Sequence, residues 1–418
     1  MARNLRPLAD PMLYQTFQAQ TDLLWPARTM ARIGAELLAW PNPFESPAGE
    51  RARRGAAAAC SVFAQTRLTH SRPPYAIDAI TVAGREFAVH EEAALVTPFA
   101  TLLHFRKDGA AQQPRVLIVA PMSGHFATLL RDTVRVMLVD HDVYITDWHN
   151  ARDVPLAHGR FGLDEYIAHL IDFLTRIGPG AHAVAVCQPC VALLAAAALM
   201  AEDDHCAQPR SLTVMAGPVD CRVNPTGVNQ LATSKPMDWF ESHLIGTVPL
   251  RYPGAWRRVY PGFLQVSAFM SMNLARHQQA FVDLFRCLAD GDQASAAATS
   301  AFYAEYFAVA DLPAEFYLET VRLVFQEYAL ARGQLRWGDR LVNPGAIRRS
   351  TLLTVEGEKD DICAIGQTMA AHDLCTGIRA YRKQHYLQAG AGHYGIFSGR
   401  RWQQQIYPIV RDAIHVSD

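Results

Sequence analysis

Cysteine, aspartate and histidine each stand in this chain where a strand hands over to a turn, and together they have the makings of an acyl-transfer centre. The first is Cys187. It lies in Ala-Val-Ala-Val-Cys-Gln-Pro-Cys-Val-Ala-Leu-Leu, where an apolar strand meets an Ala/Leu-rich helix across one tight turn. A nucleophile on such an elbow is aimed out of the sheet by strained backbone, so the positions two before and two after must be compact; here they are Ala185 and Pro189. Proline also suits a first helical turn, where its missing N–H costs nothing. A thiol nucleophile needs a base to take its proton and a third group to orient that base. The strand at 351–355 runs into Glu356-Gly357-Glu358-Lys359-Asp360-Asp361, and the last strand runs into Ala389-Gly390-Ala391-Gly392-His393-Tyr394-Gly395. Nucleophile, acid, histidine is the chain order of α/β-hydrolases. Asp360, three residues after Gly357, is the expected acid ahead of its neighbour Asp361 and of Asp220, and His393 is the expected base. An oxyanion hole is expected from the backbone N–H of Gln188 and a second donor in Ala120-Pro121-Met122-Ser123-Gly124-His125, with Met122 preferred to Ser123.

Other readings compete at each position. A lone buried cysteine is usually a small core hydrophobe, and a histidine in a glycine-rich loop is often a surface turn. Cys187-Gln-Pro-Cys190 also matches a redox C-x-x-C pattern, but a thioredoxin-like domain is small and requires no Asp turn or His loop far downstream. Cys190, one helical turn on, could still form a reversible disulfide that silences Cys187. His125, His141, His149, His158 and His169 lack the i, i+4 spacing of a helical zinc site, and no glycine-rich phosphate loop follows the first strand. Neither metal nor cofactor is expected.

The elements that must position these residues read as alternating strands and helices. Residues 12–40 carry helical spacing interrupted by Pro26, followed by a Pro/Asn/Gly-rich stretch to Gly49. Strands are expected over 76–89, with a hairpin turn at Ala83-Gly84-Arg85, and over 100–105. Next come a strand at 115–120, a helix at 127–138, a strand at 143–148, a helix at 163–177 and strands at 182–186 and 211–216. Such alternation implies a mostly parallel sheet covered on both faces. Between Cys221 and Ala346 helical patterns rich in aromatics replace it, and strands resume at 352–355 and 385–388. The expected organisation is a helical arm and linker (1–75), a first part of an α/β core (76–221), a helical cap insertion (222–346) and the rest of the core (347–418).

Composition narrows the function. Lysine and arginine number 39 against 40 aspartates and glutamates, so no global field favours nucleic acid or an anionic membrane. No stretch approaches the roughly 20 apolar residues of a membrane span. The opening Met-Ala-Arg-Asn-Leu-Arg lacks a signal-peptide core, and the 8 cysteines are scattered as reduced thiols would be, so a cytoplasmic protein is expected.

At the elbow (AVCQPCVALLAAAAL), the acid turn (LLTVEGEKDDICAIGQT) and the histidine loop (AGHYGIFSGRRW), the chain resembles bacterial intracellular poly(3-hydroxybutyrate) depolymerases. The likeness extends to MLYQTFQAQ, APMSGHFATLLRDTV, DVYITDWHNARDVPL and EYFAVADLPAEFYLETV, and so covers nearly the whole chain. The resemblance implies an α/β-hydrolase fold, a nucleophile at Cys187, an acid at Asp360 and a histidine at His393. It also implies attack on amorphous polyester storage granules in the cytoplasm, releasing 3-hydroxybutyrate or short oligomers. The thioester of such a reaction passes to water or to coenzyme A. Aromatic and methionine side chains of the arm and cap are candidates for contact with the granule. Two neighbouring functions remain: a polyester synthase, which runs a similar Cys-Asp-His arrangement in the opposite direction, and a non-enzymatic granule coat protein.

Overall fold

The computed structural model describes residues 11–41, 43–109 and 111–418. The first ten residues, read above for the absence of a leader, lie outside the described residues. Two packed helices come first among the described residues, α1 (Pro11–Ala39) and α2 (Pro47–Gln65). Contrary to the expected interruption, α1 runs through Pro26. The proline sits on the exposed side, where packing of the other side on α2 offsets its lost hydrogen bond. The second helix was not expected, although its start was legible: Ser46 caps it by accepting the Gly49 N–H at 3.1 Å, and Pro47 occupies the first turn.

The main sheet begins with β1 (Ala79–Val82) and β2 (Arg85–Val96), joined across Ala83-Gly84, where both residues take positive φ. It continues with β3 (Ala100–Lys107), β4 (Arg115–Val119), α3 (Arg131–Met137), β5 (Asp142–Trp148), α4 (Leu163–Ile177), β6 (His182–Val186), α5 (Cys190–Glu202) and β7 (Ser211–Met215). The next segment holds α6 (Gly227–Ser234), α7 (Met237–Leu244), β8 (Gly246–Thr247), β9 (Arg258–Tyr260), α8 (Gly262–Met272), α9 (Leu274–Asp290), α10 (Gln293–Tyr306), β10 (Leu312–Pro313), α11 (Ala314–Thr320), β11 (Arg336–Trp337) and β12 (Arg340–Leu341). Helices dominate it, yet β8, β9 and β10 form a small antiparallel sheet and β11 with β12 a hairpin, neither of which was expected. Strands of two or three residues are too short to print a period-2 pattern. The chain returns to the main sheet with β13 (Thr351–Gly357) and β14 (Lys383–Gln388).

Strand order in the main sheet is β1-β2-β3-β5-β4-β6-β7-β13-β14. Pairing is antiparallel from β1 to β5 and parallel from there to β14. With β4 crossed back between β5 and β6 and the elbow after β6, this is the α/β-hydrolase fold, as expected. Alternation along the strands divides the core into two layers. Leu117, Ala183, Ala185 and Leu212 face α4 and α5, whereas Val116, Ile118, Val184 and Val186 face α3 and the C-terminal helix Tyr407–His415.

The arm is fastened to this body at one buried carboxylate. Asp311 accepts the Tyr14 hydroxyl at 2.6 Å and the Gly262 N–H at 2.9 Å, while its own N–H donates to Asn150 Oδ1 at 2.9 Å. The first turn of α1, the start of α8 and the loop after β5 therefore share one anchor.

Candidate active site

Cys187 closes β6 with φ +67°, in the left-handed region that a residue with a Cβ rarely enters. Its N–H donates to Met215 O at 2.8 Å, and its carbonyl accepts the Cys190 N–H at 3.2 Å, which ties the turn to β7 and to the start of α5. The turn has no spare room. A Cβ at Gly217 would run into the Cys190 side chain and lie 3.2 Å from the Cys187 carbonyl, so that glycine is required by close approach. Gly217 was missed from sequence, because its constraint comes from a neighbouring strand end.

Cys187 is partly exposed, whereas Cys190 is fully buried, its thiol directed at Ala185 O (3.5 Å) and Met215 O (3.7 Å). Burial, then the neighbouring Cys187, pushes the Cys190 thiol far above its ordinary range. The two sulfurs therefore live in different environments, and Cys190 stays protonated beneath the elbow.

Asp360 and His393 meet at 2.8 Å, carboxylate Oδ2 to imidazole Nδ1, both buried. The other carboxylate oxygen accepts the backbone N–H groups of Ile362 and Cys363, each at 2.9 Å. Cys187 lies within electrostatic reach of the same imidazole. Burial lowers the pKa of His393, but Cys187 and Asp360 outweigh it and hold the imidazole well above its ordinary value. The rival carboxylates are engaged elsewhere. Asp361 accepts from Asn273 at 3.4 Å, and Asp220 pairs with Arg222 at 2.7 Å, which lowers its pKa.

Glycine and a buried glutamate hold the acid loop in place. Gly357 ends β13, and a Cβ there would lie 2.7 Å from Ala391 O. The same carbonyl accepts the Lys359 N–H at 2.8 Å, so the acid and histidine loops are stitched together. Glu356 was quoted in the motif but given no role. It is fully buried and accepts the N–H groups of Gly366, Thr368 and Met369 at 2.7–2.9 Å, tethering the far end of the loop that carries Asp360. A carboxylate directly after Leu352, Leu353 and Val355 in a strand-like run was the available signal.

The Met122 N–H points at the elbow, donating to the Gln188 side-chain Oε1 at 3.3 Å. In this loop His125 contacts the Tyr306 carbonyl at 3.1 Å, and burial lowers its pKa to about 4, so it is neutral and structural. His141 is likewise lowered to about 4, chiefly by burial. His149 and His169 bond Thr101 and Thr97.

Residues 216–418 match the family described as PHB de-polymerase C-terminus. No curated protein matches the chain by sequence. Similar solved structures include a 2-hydroxy-6-oxo-6-phenylhexa-2,4-dienoate hydrolase from Rhodococcus sp. strain RHA1, at 9% identity and a TM-score of 0.44 over 79% of this chain and 99% of that one. A monoacylglycerol lipase from Paleococcus ferrophilus has 10% identity and a TM-score of 0.42, over 73% and 97% of the two chains. A meta-cleavage product hydrolase from Pseudomonas fluorescens IP01 has 13% identity and a TM-score of 0.42, over 81% and 98%.

Proposed function

We propose that this ester hydrolase is a PHB depolymerase that cleaves poly(3-hydroxybutyrate) through a Cys187-His393-Asp360 triad and a thioester intermediate, a reading supported by the family match over residues 216–418. The observation that carries the reading is the His393 imidazole, bonded to the buried Asp360 carboxylate and within electrostatic reach of Cys187, beneath an elbow strained at the cysteine. His393 draws the thiol proton, and the thiolate attacks the ester carbonyl of the polymer. The oxyanion that forms rests on the backbone N–H groups of Gln188 and Met122. His393 then protonates the departing alkoxide, and the acyl group stays on sulfur as a thioester. Water activated by the same histidine releases the acid and restores the thiol. Coenzyme A in place of water would yield an acyl-coenzyme A.

The insoluble substrate needs a surface to hold. On α1 and just past its end, Leu23, Met30, Leu37 and Trp40 are each more than two-thirds exposed, and with Pro26 and Ile33 they recur three or four residues apart as an exposed stripe. That uncharged stripe supports a role for the arm, together with the helices at 222–346 acting as a cap, in docking to a cytoplasmic polyester granule.

The test incubates purified protein with amorphous poly(3-hydroxybutyrate) granules and measures released 3-hydroxybutyrate. Release is expected from wild type and from Cys190→Ala, and none from Cys187→Ala. Release that survives Cys187→Ala would overturn the mechanism.

A further inference from the structure

A cleft of about 460 Å³ lies between α1, α2 and α10, and its lining shares no residue with the triad or the oxyanion loop. Its volume falls in the roughly 300–1,000 Å³ range of small-molecule sites. Three arginines line the cleft, Arg28, Arg32 and Arg67, together with Trp25, Tyr303 and Phe307, and the Arg28 guanidinium also lies 5.9 Å from the centre of the Phe63 ring. No aspartate or glutamate lines the wall, and among the described residues none of the three arginines has a carboxylate partner. Three other arginines on or beside the arm are paired, Arg53 with Glu45, Arg54 with Glu50 and Arg251 with Asp22, whereas Arg51 of α2 has no carboxylate partner among the described residues. Arg28 Nε is closed off from solvent and has no hydrogen-bond partner, and burial, then the charge of Arg67, lowers the Arg28 pKa.

Three like charges around one hollow repel each other, and an anion between them reverses the sign of that interaction. The planar guanidinium fork matches phosphate and carboxylate oxygens in pairs. A monocarboxylate such as 3-hydroxybutyrate offsets only one of the three charges and has no ring to set against Trp25, whose indole is 56% exposed. We propose that this cleft binds a ligand carrying at least two phosphate charges and a flat ring, the nucleoside-diphosphate class. Tyr303 and Phe307 belong to the apolar cluster that also packs Tyr394, the neighbour of His393, so an occupied cleft adjoins the layer that supports the histidine loop.

Isothermal titration calorimetry of the full chain with ADP tests this, with pyrophosphate, adenosine and 3-hydroxybutyrate as separate titrants. ADP is expected to bind saturably and more weakly as salt rises. Pyrophosphate should bind less tightly and adenosine not measurably. Arg28→Gln/Arg67→Gln should weaken ADP at least about tenfold, while Cys187→Ala leaves it unchanged. Without ligand, the double variant should melt at the wild-type temperature or above, since repulsion has been removed. Absence of ADP binding, binding indifferent to the arginines, or a lowered melting temperature in the double variant would overturn the site. Pyrophosphate binding as tightly as ADP would overturn the role of the rings. The readout is binding, so failure here leaves the depolymerase reading standing.

Discussion

His393 Nδ1 and Asp360 Oδ2 stand 2.8 Å apart, 33 residues distant in sequence, because the two loops that carry them share the Ala391 carbonyl as a common fastening. That carbonyl leaves no space for a side chain at residue 357.

Asp360→Asn keeps the shape of the contact but removes the charge that orients and stabilises the imidazolium. The turnover of granules should fall on the order of 10⁴-fold, as for the equivalent change in serine enzymes. Asp361→Asn and Asp220→Asn, which touch neither Cys187 nor His393, should stay within about threefold of wild type. Initial rates of 3-hydroxybutyrate release separate the three carboxylates; equal losses for all would refute the assignment.

Gln188 offers a second contrast. Its side-chain carbonyl accepts the Met122 N–H that the proposed mechanism assigns to the oxyanion. Gln188→Ala frees that donor and keeps the Gln188 position's backbone N–H, so the rate should change less than about tenfold. Gln188→Glu puts a negative charge where negative charge must develop and should cost a hundredfold or more in kcat. Similar rates for the two variants would remove Met122 from the oxyanion hole.

Tyr14→Phe deletes the hydroxyl that the buried Asp311 carboxylate accepts at 2.6 Å. Leaving a buried acceptor short of a partner costs about 1–3 kcal/mol. Urea unfolding should show that loss, and limited proteolysis should cut α1 sooner than in wild type. Unchanged stability would mean the arm does not depend on this anchor.

Asp147 links acidity to stability. Burial raises its pKa to about 6, against the lowering effect of Arg72, whose Nε lies 2.6 Å away. Between the ordinary value of 3.8 and about 6, the folded chain holds a proton that the unfolded chain has released. Its contribution to stability is therefore greatest below pH 3.8 and falls as pH rises through 6, by about 3 kcal/mol at most. Asp147→Asn should flatten that part of the stability profile, measured by denaturant unfolding at several pH values. An unaltered slope would place the titration elsewhere.

Much of this was legible in the residues themselves. The run from Ala183 to Leu194 encodes a buried strand, a turn too tight for bulk and an apolar helix, since local backbone preference and period determine each of them. The long strands and the amphipathic α4 were equally readable, as was the order of cysteine, acid and histidine along the chain. The cap on α2 was readable and overlooked. Through-space constraint stayed hidden: the persistence of α1 through Pro26, the requirement for glycine at 217 and 357, the service of Glu356 to the acid loop and the three unpaired arginines of the cleft. A sequence records what each residue prefers within a few neighbours. Which backbone, charge or cavity it will face from a distant segment is decided only when the sheet has been assembled.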